Sequence, residues 1–188
     1  VDFDSNNEIS LSSPVTNTSQ NLIAYSEQFT SWTNTSGESS SLATELTDPF
    51  GGTNSYLIKS TGSTASSGVM SEAVAGMTAG KNYTLSCYFK YGTSDDVRFG
   101  LYDYGGSVWS NVDIVWSASG VPSTSASANV NNITYTPTGS NGWYRVSFSF
   151  TCNSSGDKKV HIDADRDATN QTVYAFGAQL EETQYEST

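Results

Sequence analysis

Three stretches in the second half of the chain decide the fold: GMTAGKNYTLSCYFK from Gly76 to Lys90, NGWYRVSFSF from Asn141 to Phe150, and VYAFGAQLEE from Val173 to Glu182. Apolar and polar residues alternate in each, which is the two-residue period of a strand with one buried face. Turn residues, Ala79-Gly80 and Asn141-Gly142, precede the first two runs. The stretches therefore predict three long β-strands.

The rest of the chain continues this pattern with shorter strands separated by turn signals. We predict them at 21–25, 41–46, 54–60, 67–74, 96–104, 108–116, 130–136 and 158–164. Many short strands at such spacing are typical of an all-β sandwich or barrel. The Ser/Thr-rich stretch Ser117–Ala128 is predicted to be a long loop.

The two ends of the sequence differ in character. A length of 188 residues fits one all-β domain, which we place at 21–188. Residues 1–20 are polar apart from Ile9, Leu11 and Val15, and Pro14 interrupts this short apolar alternation. We predict an extended N-terminal arm that docks on a neighbouring chain or adds an edge strand to it.

Charge and hydropathy exclude two classes of partner. There are 8 Lys and Arg residues against 19 Asp and Glu, a formal net charge of −11, which opposes contact with nucleic-acid phosphates or anionic lipid. No apolar run reaches the ~18 residues that a spanning helix needs. We expect neither nucleic-acid binding nor membrane insertion.

Both cysteines are predicted to face the core. Alternation puts Cys87 in phase with Leu85 and Phe89, and Cys152 in phase with Phe148 and Phe150. A disulfide requires the two strands to be neighbours with the cysteines opposed. Two buried free thiols are the alternative.

Five phrases in a fixed order carry a family resemblance. NLIAYSEQFTSW (21–32), TDPFGGTNSYLIKS (47–60) and the three strand phrases together resemble a carbohydrate-binding-like β-jelly-roll module of bacteriophage tail-fibre and capsid-appendage proteins, particularly marine ones. The resemblance implies a two-sheet antiparallel jelly-roll sandwich of the concanavalin or carbohydrate-binding-module type. It also implies an extracellular, non-catalytic structural and recognition part of a virion, assembled from identical subunits and other virion proteins.

One set of polar and aromatic residues is a candidate for sugar contact. On the strand that begins at Val97, the apolar phase leaves the residues between to face outward. If this strand shares a sheet with its neighbours, an aromatic platform with hydrogen-bonding groups results, suited to a host surface carbohydrate. The alternative is packing beneath loops or against another subunit. The candidate residues are Tyr88, Arg98, Tyr102, Tyr104, Trp109, Asn111 and Asp113.

An acidic run is the one candidate metal site. Asp163, Asp165 and Asp167 alternate before a turn, and clustered carboxylate oxygens suit Ca²⁺. Ala168 and Tyr174 stand where a helix-loop-helix calcium loop has glycine and glutamate. A solvated strand end is therefore the favoured interpretation and calcium the alternative; no other cofactor is expected.

Catalytic signatures are missing from the sequence. The single histidine, His161, lies on the polar face opposite Val160 and Ile162, and no nucleophile-histidine, zinc-binding or phosphate-loop motif accompanies it. A glycosidase needs only two carboxylates, so the absence of these motifs does not by itself exclude glycosidase activity. We expect no enzyme, and the alternative function is a decoration-layer or filament subunit assembled by exchange of the N-terminal arm.

Overall fold

The computed structural model describes residues 20–34, 37–62, 69–70, 73–139, 141–165 and 168–183. The predicted arm, with Ile9, Leu11 and Val15, lies outside the described residues, as does Asp167. A 3₁₀ turn spans Phe29–Ser31. The strands are β1 (Thr33–Asn34), β2 (Glu38–Leu42), β3 (Tyr56–Ser60), β4 (Val69–Met70), β5 (Asn82–Tyr91), β6 (Val97–Asp103), β7 (Val108–Trp116), β8 (Pro122–Ala128), β9 (Asn131–Pro137), β10 (Trp143–Thr151), β11 (Lys158–Asp163) and β12 (Thr172–Glu182).

These strands form two six-stranded antiparallel sheets. Sheet I has the order β1-β4-β11-β6-β7-β8, and sheet II has the order β2-β3-β12-β5-β10-β9. Strands distant in sequence lie side by side, as in the pairing of β12 with β5 and of β11 with β6. The predicted two-sheet antiparallel jelly roll is confirmed.

One apolar core fills the space between the sheets. The inward phase of β5, which the sequence predicted, is fully buried at Leu85 and Phe89. Phe99 of sheet I packs between Phe89 and Phe148 of sheet II, with ring centroids 5.0 and 5.6 Å apart. Each such ring contributes about 1.5–3 kcal/mol by burial, so the aromatic residues supply much of the core's stability.

Three local predictions are wrong. The strand predicted at 41–46 is β2, which begins at Glu38 and ends at Leu42. The Ser/Thr-rich stretch predicted as a loop contains β8, an edge strand that pairs, among the described strands, only with β7 and leaves most of its residues exposed. A strand with no buried face has no apolar alternation for the sequence to show. The predicted strand at 21–25 is also absent: Asn21 Oδ1 accepts hydrogen bonds from Ile23 N and Leu180 N, and a turn follows.

Both cysteine side chains face the core, as the alternation predicted, and both are free thiols. Cys87 Sγ lies 3.3 Å from the carbonyl oxygen of Phe176, and Cys152 Sγ lies 3.1 Å from that of Ser154. Of the two alternatives, buried free thiols are therefore what the structure shows.

A lysine is enclosed at one end of the sandwich. Lys158 is almost fully buried, and its Nζ donates to the carbonyl oxygens of Ser154 and Gly156 at 2.6 and 2.8 Å. The Asp103 carboxylate lies 3.5 Å from the same Nζ and accepts hydrogen bonds from the Ser154 hydroxyl. This buried charge is thus fully partnered, as burial requires.

A β-bulge interrupts β12. Phe176 pairs with Tyr88 of β5 and Gln179 pairs with Ser86, so two residues of β12 stand opposite one residue of β5. Gly177 adopts φ +58°, a left-handed conformation that favours glycine. The extra residue reverses the phase of the strand, and Phe176 and Gln179 consequently share the outer face of sheet II. The core-facing residues are Val173 and Ala175 before the bulge, and Ala178 and Leu180 after it.

Within the part of the chain described, no helix is long and apolar enough to cross a membrane.

Candidate functional site

The outer face of sheet I carries most of the predicted sugar-contact residues. Because alternate residues of β6 enter the core, Arg98 and Tyr102 face outward, and the antiparallel register places them opposite Asp113 and Trp109 of β7. Asn111 lies between those two on β7. The shared sheet that the sequence argument required is therefore present for these strands. The core-facing residues of β6 are Val97, Phe99 and Leu101.

Four rings on this face are in contact, and we call them the ring cluster: Tyr102, Tyr104, Trp109 and His161. Tyr102 meets Tyr104 edge-on at 4.7 Å between centroids and lies 4.9 Å from Trp109. Trp109 lies 4.8 Å from His161 of β11, although β6 separates their strands. Gly100 of β6 pairs with both His161 and Asn111, and a side chain there would clash with Asn111 and with the carbonyl oxygen of Ser110 on β7.

The polar residues beside the rings are hydrogen-bonded to one another. Arg98 donates to both carboxylate oxygens of Asp113, at 2.7 and 2.8 Å, and Asn111 Nδ2 donates to the same carboxylate at 3.0 Å. The hydrogen bond from Asp113 raises the pKa of the Arg98 guanidinium, which lies 5.7 Å from the centre of the Trp109 ring. Asn111 and Asp113 are buried, so they position Arg98 and are not open to solvent.

Tyr88 does not belong to this site. It lies on β5, in sheet II, and faces outward on the opposite side of the sandwich. Alternation predicts which face of a strand a residue occupies, but it does not predict in which sheet the strand lies. The structure brings together Arg98, Tyr102, Tyr104, Trp109, Asn111 and Asp113 and separates Tyr88 from them.

His161 is a member of the site that the sequence argument left out. It is only 4% exposed, and neither ring nitrogen has a hydrogen-bond partner among the described residues. Burial, reinforced by the nearby Lys159 charge, lowers the pKa of His161 to about 4. Burying a neutral imidazole beside Trp109 without hydrogen bonds among the described residues lowers the stability of the fold. Residues that lower stability in this way are common in binding sites. The signal in the sequence was its place on the outward face of β11.

Two aspartates of the acidic run, Asp163 and Asp165, contact different groups. Asp165 accepts hydrogen bonds from the Ser94 hydroxyl and from Ala168 N, at 3.2 and 2.9 Å. Asp163 neighbours Glu38 of sheet II; burial first, and then hydrogen bonding to Asp163, raises the pKa of Glu38 to about 9. Among the described residues, no group of three or more metal-ligating side chains gathers. Calcium binding remains a prediction.

The fold is that of carbohydrate-binding modules. The CBM22-1 xylan-binding domain of Paenibacillus barcinonensis Xyn10C matches with a TM-score of 0.54 at 13% identity, over 89% of this chain and 97% of that domain. The CBM22-1–GH10 modules of Clostridium thermocellum Xyn10B, solved with xylohexaose, match with a TM-score of 0.52 at 14% identity, over 88% of this chain and 29% of that one.

A bacteriophage protein has the same fold. The enzymatically active domain of tailspike protein 4 from bacteriophage CBA120 matches with a TM-score of 0.52 at 9% identity, over 87% of this chain and 21% of that one. The sequence itself matches no protein-family model and no curated protein. The structural likeness defines the class as a carbohydrate-binding-module-like jelly roll, a fold that supports more than one function.

Proposed function

We propose that this chain is a non-catalytic carbohydrate-binding module and that the ring cluster is its ligand face. The observation that supports this most is the continuous contact of Tyr104, Tyr102 and Trp109 on the outer face of one sheet. Tyr104 is 45% exposed, although large apolar side chains of the described chain are mostly buried. Aromatic faces bind the apolar C–H face of a pyranose ring, and this face offers three of them.

Each residue has a distinct role in this proposal. Tyr102, Tyr104 and Trp109 stack against sugar rings, and Arg98 donates to hydroxyl groups through Nη1, which has no partner among the described residues. Asp113 fixes the guanidinium with two hydrogen bonds, so that little side-chain entropy is lost on binding. Asn111 in turn holds Asp113.

The ligand class follows from the charges on this face. Arg98 is neutralised by Asp113, and His161 is uncharged at neutral pH. Lys159 beside Tyr102 and Asp163 beside Arg98 add one charge of each sign to the same face, so the site favours a neutral sugar. Xylan is the first polysaccharide to test, since a domain of the same fold binds it.

The setting we propose is an exposed virion appendage, extracellular and built with identical subunits and other virion proteins, that reads a host surface carbohydrate. The five sequence phrases support this setting, and so does the likeness to a tailspike domain.

The test is a glycan array followed by calorimetry with xylohexaose and the array's best oligosaccharide. Tyr104→Ala and Trp109→Ala are each expected to weaken binding about tenfold or more, because each removes a stacking surface worth ~1.4 kcal/mol or more. Tyr91→Ala is the matched control, since Tyr91 is a tyrosine of similar exposure, 40%, outside the ring cluster. No binding on the array, or equal losses in Tyr91→Ala and Tyr104→Ala, contradicts the proposal.

A decoration-layer or filament subunit remains the second candidate function. Within the described residues, the edge strands β8 and β9 each pair on one side only, which leaves backbone groups for an added strand from a neighbour's arm. Deleting residues 1–17 should then abolish assembly and leave a folded monomer. Assembly that survives the deletion would remove this candidate.

A further inference from the structure

The loop between β2 and β3 crosses the outer face of sheet II and holds an aromatic residue in solvent. Trp143 Nε1 of β10 donates to the carbonyl oxygen of Thr47 at 3.0 Å. The buried Asp48 carboxylate accepts hydrogen bonds from Phe50 N and Gly52 N, at 2.8 and 3.0 Å. Phe50, at the tip, is nevertheless 71% exposed. These hydrogen bonds fix the loop and so hold the Phe50 ring in solvent. Burial of apolar surface does not explain such an exposed position.

Phe50 stands over two outward aromatic residues of sheet II. Its ring centroid lies 5.4 Å from that of Tyr88 and 5.9 Å from that of Phe176, both in edge-to-face geometry. The bulge at Gly177 opens a cleft of about 120 Å³ beside these rings. We call it the Phe50 cleft; its lining residues are Asn21, Ser26, Glu27, Phe50, Tyr88, Phe176, Gly177, Ala178 and Gln179.

Two polar groups in the Phe50 cleft are free to bind a ligand. Arg145 Nη2 donates to Gln179 Oε1 at 2.7 Å, which fixes the amide and leaves Gln179 Nε2 without a partner in the described chain. The Glu27 side chain is exposed and makes no hydrogen bond or ion pair with the described residues. The Arg145 guanidinium lies 5.7 Å from the Tyr88 ring centre. One positive and one negative group thus flank the aromatic residues and balance in charge.

We infer that the Phe50 cleft is a second carbohydrate-binding site, which takes a single neutral pyranose ring. The apolar face of the sugar ring lies on Phe50 and the edge of the sugar contacts Tyr88, while its hydroxyl groups accept from Gln179 Nε2 and donate to the Glu27 carboxylate. The charge balance disfavours both a cationic peptide and an acidic sugar. This inference shares its ligand class with the proposed function but depends on different residues, on the opposite side of the sandwich.

Two sites on opposite faces would make the module bivalent. Because the ring cluster lies on sheet I and the Phe50 cleft on sheet II, one polysaccharide chain cannot lie flat on both at once. Separate chains, or separate branches, would then be linked through the module, and binding to a dense glycan surface would gain by avidity.

The experiment compares the full chain with Phe50→Ala, Trp109→Ala and the double variant on one glycan array, and then by calorimetry with the best-bound oligosaccharide. In the Trp109→Ala background, the residual binding is expected to weaken about tenfold on adding Phe50→Ala. Glu27→Gln, which keeps the size of an exposed side chain, should weaken it several-fold. Val121→Ala is the control, since Val121 is an exposed apolar residue outside both sites.

The possible results separate the two proposals. Binding that persists in Trp109→Ala and is lost with Phe50→Ala supports the second site, even if the ring cluster proves inactive. Binding that Trp109→Ala abolishes, while Phe50→Ala and Glu27→Gln leave the full chain unchanged, overturns the second site and keeps the first. An array without any bound sugar overturns both.

Discussion

Replacing Glu38 with glutamine is expected to stabilise the protein by about 3 kcal/mol at pH 7. Burial and the neighbouring Asp163 raise the pKa of Glu38 from 4.5 to about 9, so the folded protein keeps a proton that the unfolded chain releases above pH 4.5. The stability supplied by this group is complete below pH 4.5 and is lost as pH rises towards 9. At pH 7 the solution is about 2.5 units above the pKa of Glu38 in the unfolded chain, and each unit lowers the free energy of unfolding by ~1.36 kcal/mol. Glutamine resembles the protonated acid and does not titrate.

The assay is urea unfolding of the wild type and Glu38→Gln from pH 5 to pH 8. The difference in free energy of unfolding should grow from under ~1 kcal/mol at pH 5 to about 3 kcal/mol at pH 7. Glu45→Gln, at an exposed glutamate, controls for the loss of one negative charge from an acidic protein. A Glu38→Gln difference that does not change with pH would show that Glu38 is ionised in the folded state and would refute the reasoning.

Three further expectations can be measured in the same way. The folded protein keeps His161 neutral down to about pH 4, so the free energy of unfolding of the wild type should fall by up to about 3 kcal/mol between pH 6.5 and pH 4. His161→Gln should remove this dependence on pH. Lys158→Ala should lower the free energy of unfolding by about 3–5 kcal/mol, because the buried Asp103 carboxylate loses its cation. Lys81→Ala breaks a surface ion pair and should lower it by under ~1 kcal/mol; similar losses in the two variants would contradict this. Excess calcium should leave the melting temperature unchanged, because Asp165 is already hydrogen-bonded; a rise would establish a calcium site.

The strands that face the core could be predicted from the sequence, because burial of one face leaves a period of two. β7 occupies the predicted residues, and β5 and β10 lie in the first two quoted stretches, each continuing one residue beyond the end of its stretch. β8 escaped prediction, since an exposed edge strand of Ser, Thr and Ala is held by backbone hydrogen bonds, which leave no trace in the side chains. The same limit explains the turn at 24–27, where Asn21 replaces a strand ladder with side-chain hydrogen bonds.

The candidate site was predicted in part for a related reason. Outward phase correctly grouped Arg98, Tyr102 and Trp109, because β6 and β7 form a hairpin and are adjacent in the chain. His161 reaches the same site from a strand distant in the sequence, through the pairing of β11 with β6, which no local pattern encodes. Tyr88 was misplaced because sheet membership is likewise a long-range property.

The bulge at Gly177 has a consequence for how the end of this chain tolerates insertion and deletion. Removing Gly177 would restore a regular ladder and leave Gln179 outward and Leu180 in the core. Adding or removing one residue in a regular part of β12 would instead reverse the face that every later residue occupies. A deletion of one residue at the bulge would therefore be less damaging than the same deletion in a regular part of the strand. An alignment that crosses the bulge without a gap would exchange inside for outside over the last strand, and would assign the wrong residues to the core.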